Sequence, residues 1–197
     1  MSSLLQTTVV RGRFLDIQNL VAQAADIAEQ VRYIEDGVLI SEAGKIKWFG
    51  AWQDAAAHLP EGVAIQHYPE KLIVPGFIDT HIHFPQTEMV GAYGEQLLEW
   101  LNTYTFPTEM QFADAAYAAQ IAEFFVQELL KNGTTTALVF CTVHPESVDA
   151  LFEAAQRHHM RLIAGKVMMD RHAPDALCDT PERAYTDSKA LIEKWHG

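Results

Sequence analysis

Short runs of apolar and β-branched residues fill the first seventy positions of the chain, a pattern typical of β-strands. TTVVRGRFLDI reads as one strand, and GVLISEAGKIKWFGAW contains two strand-like runs around a turn with a glycine, which predicts a hairpin. Between them, LVAQAADIAEQ is typical of a short helix, and AIQHYPEKLIVPGFIDTHIH of an extended segment. The pattern therefore predicts a β-rich unit at the start of the chain.

From residue 72 onward, strongly apolar runs alternate with amphipathic helical segments. LIVPGFIDT, TTTALVFCTV and RLIAGKVMM predict three buried strands. Helices are predicted over EQLLEWLNTY, FADAAYAAQIAEFFVQELLKNG, PESVDALFEAAQRHH and TPERAYTDSKALIEKWH. Strands that are apolar throughout and alternate with helices predict a parallel sheet that is covered on both faces.

Three βα units are compatible with two architectures, the start of a (β/α)8 TIM-type barrel and half of an open, doubly wound sheet. The open sheet usually carries a glycine-rich phosphate-binding turn, and neither GxGxxG nor GxxxxGK[ST] occurs in this sequence. The predicted fold class is therefore α/β, with the first three βα units of a TIM-type barrel behind the β-rich unit.

The charge of the chain restricts the kind of partner that it can bind. Its formal net charge is −12, and no cluster of Lys and Arg residues interrupts this acidity. Such a chain repels nucleic-acid phosphates and anionic membrane surfaces. We therefore predict a small-molecule substrate, neutral or cationic, and no nucleic-acid or membrane partner.

The sequence also carries signals about location. The N-terminus has no basic leader followed by a long apolar core, and no stretch reaches the ~18 apolar residues of a membrane span. The two cysteines, Cys141 and Cys178, lie far apart and form no CxxC pair, which is typical of free thiols in a reducing compartment. We predict a cytoplasmic protein.

The segment VPGFIDTHIHFPQTE ends an apolar strand with two histidines. Successive side chains on a strand point to opposite faces, so we expect His81 and His83 on one face and Ile82 on the other. At the C-terminal end of a barrel strand, two such imidazoles can bind one metal ion at about 2.0–2.1 Å. Asp79 is expected on the same face, where it can steady the site.

These residues resemble a known family. VPGFIDTHIH is similar to the first barrel strand of the amidohydrolase superfamily, whose two histidines bind a catalytic metal. HFPQTEMVGAYGEQLLEWLNTYTFPTE, LLKNGTTTALVF and AGKVMMDR resemble, more specifically, the guanine deaminases within that superfamily. The resemblance covers nearly the whole chain and implies two parts, a small β-sandwich segment at residues 1–70 and the first part of the barrel at 71–197.

The resemblance implies a ligand set for a bound zinc ion and a substrate pocket. His81 and His83 match the zinc-binding histidines of the family. His83, Phe84, Pro85 and Gln86 match the stretch that lines the guanine pocket. The amide of Gln86 offers both a donor and an acceptor, which suits the mixed edge of a purine. Packing in the core is nearly as plausible for Phe84, and it is the favoured interpretation for Trp100.

The activity that the resemblance implies is the zinc-dependent hydrolysis of guanine to xanthine and ammonia. The family's remaining ligands and its acid/base glutamate match no residue up to 197, so we expect the N-terminal portion of an enzyme, inactive alone and prone to self-association or homodimerisation. Two alternatives stay open: a sister amidohydrolase that acts on another heterocycle, and a non-catalytic dimerising or binding fragment.

Four further residues could contribute to a site. His144 follows the second predicted strand, and Lys166 is expected within the third. Asp170 and Arg171 are expected to end that third strand, at the mouth of the barrel. A structural role is the favoured interpretation for His144 and Lys166.

Overall fold

A computed structural model describes residues 7–19, 27–94 and 96–196. The chain divides into two compact units between Pro75 and Gly76. The sequence placed the domain boundary five residues earlier, between 70 and 71. That the first unit forms part of a small β-sandwich stays a prediction.

The first unit contains a four-stranded mixed sheet in the order β3-β2-β1-β4. Its strands are β1 (Thr7–Ile17), β2 (Val31–Glu42), β3 (Lys45–Ala51) and β4 (Ile65–Ile73), and the short helix α1 covers Ile27–Gln30. β1 pairs antiparallel with β2 and parallel with β4. Residues 20–26 of the predicted first helix lie outside the described residues.

The predicted hairpin is confirmed as the antiparallel pair of β2 and β3. Ala43 and Gly44 form its turn with φ values of 51° and 75°, and the positive φ explains why a glycine lies there. Val9, Val38 and Ile40 form the core of this unit with Ala55, whose 3-10 helix follows β3.

The second unit contains a three-stranded parallel sheet in the order β5-β6-β7. Its strands are β5 (Phe77–His83), β6 (Thr134–Phe140) and β7 (Arg161–Gly165). Its helices are α2 (Leu97–Trp100), α3 (Phe106–Met110), α4 (Ala115–Lys131), α5 (Pro145–His158) and α6 (Pro181–Trp195). Consecutive parallel strands joined through helices confirm the predicted α/β class and the series of βα units.

Side-chain caps mark where two helices of this unit, α4 and α6, begin. The Asp114 carboxylate accepts the backbone N–H groups of Ala116 and Tyr117 at the start of α4, at 2.8 and 3.2 Å. Thr180 accepts the N–H of Arg183 at the start of α6, as its sequence position predicts. α4 ends before Gly133, which has a φ of 83°.

The third strand is shorter than predicted. β7 ends at Gly165, so the expectation that Lys166 lies within it, and that Asp170 and Arg171 end it, is wrong. The neighbouring strand β6 ends at Phe140. Beyond these strand ends, the two chain segments are still joined by a hydrogen bond of 2.9 Å from the Val167 N–H to the Thr142 carbonyl. The chain then leaves the sheet.

Helices cover one face of the parallel sheet. Ala137 and Val139 of β6 lie in the core with residues of α4 and α5, and Ile82 packs against the same cluster. On the other face, which we call the open face, lie Leu138 and Ile163, of which Ile163 is 56% exposed. The expected cover on both faces is thus present on one face of the described sheet.

A buried ion pair joins the end of β7 to the start of α6. The Lys166 ammonium contacts the Asp179 carboxylate, and their side chains are 0% and 1% exposed. The second oxygen of Asp179 accepts from Arg183 Nε at 2.7 Å and from the Thr180 N–H at 3.1 Å. The pair therefore fixes the two ends of the connection between β7 and α6.

Glu109 of α3 is a buried carboxyl group, 8% exposed, and its burial raises its pKa from 4.5 to about 7. As pH rises from 4.5 through 7, the unfolded chain ionises first, so this group lowers the stability of the fold increasingly across that window. We expect Glu109→Gln to remove this loss and to stabilise the protein at pH 8 by on the order of 1–3 kcal/mol.

The measurement is the difference in unfolding free energy between variant and parent at pH 5 and pH 8. Glu99→Gln, at an exposed position of the preceding helix, is the matched control and should give the same difference at both pH values. Equal behaviour of the two variants would show that Glu109 is ionised in the fold without cost.

Among the described helices, none has the length and apolar character that crossing a membrane requires.

Candidate metal centre

The end of β5 brings two imidazole rings together. The Nε2 atoms of His81 and His83 lie 3.3 Å apart, while Ile82 between them packs into the core on the opposite face. The predicted arrangement of these three side chains is therefore confirmed. Both imidazoles therefore lie together at the C-terminal edge of the sheet.

The backbone beside the histidines departs from a regular ladder. Asp79 pairs with Ala137 and Ile82 with Val139, so three steps along β5 match two along β6. One extra residue on a strand is a bulge, and it interrupts the strict alternation on which the expected side of Asp79 rested. The Asp79 carboxylate accepts the backbone N–H of His81 at 2.9 Å, and it thus supports the histidine through the main chain.

Phe140, the last residue of β6, contacts both imidazoles. Its ring lies nearly parallel to that of His83, at a centroid distance of 4.9 Å and an angle of 17°, and 5.0 Å from that of His81. Sequence reasoning missed this residue, although its position at the end of the second apolar strand was a usable signal, because neighbouring parallel strands end at the same edge.

The two histidines fit a metal ion as two of its ligands. Two tetrahedral ligands that bind at about 2.0–2.1 Å lie about 3.3 Å apart, which matches the Nε2 separation. Partial burial, and after it the neighbouring His81, lowers the pKa of His83, which favours the neutral ring that binds metal. The described residues contain no group of three or more potential ligand side chains, so these two form a partial set.

A cavity of about 680 Å³ lies beside the histidine pair. Gln86 and Trp100 contribute to its wall together with residues of α4. The Trp100 indole N–H donates a hydrogen bond to the Ala92 carbonyl at 3.1 Å. This bond, together with packing, holds the indole ring in the cavity wall. The cavity thus places an amide group and an aromatic ring near two imidazoles.

Two residues of the predicted pocket lie in the core. Phe84 is fully buried, with its ring 5.0 Å from that of Phe112 and 5.5 Å from that of Phe125, and Pro85 is fully buried as well. Both belong to a 3-10 helix, Phe84–Met89, that turns directly after β5. Their role towards a substrate stays a prediction, and their packing positions Gln86 on the cavity wall.

The remaining candidates lie outside the histidine pair. His144 precedes α5, and its Nε2 atom is buried without a hydrogen-bond partner in the described part of the chain. Burial lowers the pKa of His144. Lys166 is held by Asp179, and Asp170 and Arg171 form an exposed ion pair with each other at 2.7 Å.

The parallel βα units, with His81 and His83 at the C-terminal edge of their sheet, indicate the class of protein to which the chain belongs. The model of the amidohydrolase family matches residues 72–197, and the chain belongs to this family. The guanine deaminase of Escherichia coli strain K12 is 59% identical over 187 residues, which are 95% of this chain and 43% of that protein. Its solved structure gives a TM-score of 0.91 at 58% identity and covers 96% of this chain and 44% of that one.

Two further solved structures extend the comparison. The guanine deaminase of C. acetobutylicum, solved with guanine bound in the active site, is 27% identical with a TM-score of 0.79, covering 96% of this chain and 43% of that one. An adenosine deaminase of Xanthomonas campestris with bound zinc, at 19% identity and a TM-score of 0.76, shares the fold; the match covers 96% of this chain and 40% of that one. The chain thus spans less than half the length of these relatives.

Proposed function

We propose that the whole protein is a zinc-dependent guanine deaminase, which hydrolyses guanine with one water to xanthine and ammonia. The observation that carries the proposal is the His81–His83 pair, with Nε2 atoms 3.3 Å apart, beside a cavity, in a chain so similar to guanine deaminases. The 197 residues would supply part of that active site.

His81 and His83 would hold the zinc ion through their Nε2 atoms. A bound zinc ion supplies a water whose pKa is lowered toward about 7, and thereby a nucleophile at neutral pH. Catalytic zinc sites use three protein ligands, and proton transfer to the leaving amine needs an acid/base group. We propose that the whole protein supplies these groups from outside these 197 residues.

Gln86 would recognise the substrate. Its amide can donate one hydrogen bond and accept another, as the edge of guanine requires. A site that hydrogen-bonds its substrate in this way discriminates against analogues that lack the matching groups. Trp100, on the same cavity wall, would add apolar contact with the purine.

The experiment is an assay of the purified whole protein for xanthine and ammonia from guanine, with adenine, cytosine and a chlorinated triazine as competing substrates. We expect turnover of guanine above all others. Preferential turnover of another heterocycle would favour the sister amidohydrolase, and no hydrolysis at all would favour a binding or dimerising role. Residues 1–197 alone, with two of the ligands, should bind zinc weakly and release no measurable ammonia.

We expect Gln86→Ala to lower kcat/KM for guanine about tenfold to a hundredfold in the whole protein, because the loss of a pocket hydrogen bond costs about 1–3 kcal/mol. Zinc content should stay at the parent level. Gln111→Ala, at an exposed position, is the control and should leave both quantities unchanged. Parent kinetics in Gln86→Ala would remove this residue from the pocket.

A further inference from the structure

The ring of Phe140 is the neighbour that the two histidines share. The β5–β6 ladder pairs His83 directly with Phe140, so the main chain fixes their separation. The ring then lies almost flat against the imidazole of His83 and tilted, at 49°, against that of His81. One side chain therefore limits the rotation of both rings.

This contact is different from ordinary core packing. Val139, the preceding residue, lies in the helix-covered core, while Phe140 points to the open face with the histidines. Aromatic pairs of this kind, with centroids about 4.5–7 Å apart, contribute about 0.5–1.5 kcal/mol beyond the area that they bury. Phe140 thus stabilises one orientation of the imidazoles from the face of the sheet opposite the helix-covered core.

Ring orientation matters because it directs the Nε2 atoms. In most metal sites a hydrogen bond to the second ring nitrogen fixes the imidazole. In the described part of the chain, the side-chain hydrogen bonds at this pair are the Nε2 contact between the rings and the Asp79 bond to the main chain of His81. The orienting contact to the rings themselves comes from Phe140.

We propose that Phe140 is a positioning residue of the metal centre, which holds His81 and His83 in the orientation that directs both Nε2 atoms to one ion. The proposal rests on the proposed function for the identity of the metal. It adds a residue that touches the ligands and that acts through them rather than on the substrate.

The test compares three variants of the whole protein. Phe140→Leu removes the aromatic face, and Phe140→Tyr keeps it. Phe152→Leu removes a half-buried ring that stacks on Trp195, 5.3 Å away, and serves as the matched control for the loss of an aromatic pair. The measurements are the zinc Kd by competition with a chelator and the visible spectrum of the cobalt-substituted protein, which reports ligand geometry.

We expect Phe140→Leu to raise the zinc Kd about tenfold to a hundredfold, as the loss of other supports of metal ligands does, and to change the cobalt spectrum. Phe140→Tyr and Phe152→Leu should retain the parent Kd and spectrum. A parent Kd and spectrum in Phe140→Leu would overturn the proposal, and so would an equal loss in Phe152→Leu.

A second readout needs no metal. In the metal-free protein with ¹³C-labelled histidine, the ring current of Phe140 shifts the imidazole resonances of His81 and His83, and Phe140→Leu should abolish this shift. If the parent binds no zinc but the shift disappears, the proposed function fails while the positioning contact stands. Unchanged resonances in Phe140→Leu would contradict the contact whatever metal the protein holds.

Discussion

His81→Ala is expected to remove zinc from the whole protein and to abolish guanine deamination. The variant lacks one of the two imidazole nitrogens that lie 3.3 Å apart, and a metal site that loses a ligand loses the geometry which holds the ion. His83→Ala should have the same effect for the same reason. Elemental analysis of the purified variants and an ammonia assay with guanine measure both consequences.

The control for this experiment is His67→Ala, which removes an exposed histidine of β4 in the other unit. It should retain the zinc content and activity of the parent, and thermal unfolding should show that all three variants are folded. Normal zinc stoichiometry in His81→Ala would contradict the assignment of this residue as a ligand.

The second large effect concerns stability. We expect Asp179→Ala to lower the free energy of unfolding by about 3–5 kcal/mol, because it leaves the Lys166 ammonium buried without its counter-charge. Glu193→Ala, which removes the partner of Lys189 in an exposed pair, is the matched control and should cost about 0–1 kcal/mol. Chemical denaturation of both variants gives the two values.

A double variant separates the pair from its surroundings. Replacing both partners by apolar residues of similar size, Lys166→Met with Asp179→Leu, removes both buried charges, so it should recover much of the stability that Asp179→Ala loses. The exposed Arg183 loses its partner in both variants and contributes equally to both. A cost below about 1 kcal/mol for Asp179→Ala would mean that the ammonium finds water or another partner.

Local sequence signals predicted much of this architecture. Strand and helix spacing predicted the three βα units, including a helix that ends at Gly133 and one that begins at Thr180, residue types that are common at helix ends. The histidine pair was predictable because its geometry depends on residues two apart in one strand. Such features need no knowledge of distant parts of the chain.

Features that depend on contacts between distant segments were not predicted. The bulge at the end of β5 arises from its register against β6, and Phe140 meets the histidines only because two strands pair. The end of β7 at Gly165 follows from the end of its neighbour, and Lys166 finds Asp179 thirteen residues further along the chain. The conformational preferences of individual residues do not determine which distant segments pair.

The open face of the parallel sheet has a consequence for biosynthesis. The apolar side chains of Leu138 and Ile163, 38% and 56% exposed, lie there without cover from the described helices. If further βα units complete the whole protein, these residues leave the ribosome before the segments that would cover them. Chains synthesised at about 5–20 residues per second would then present this face for many seconds, long enough for a chaperone to bind or for two nascent chains to meet.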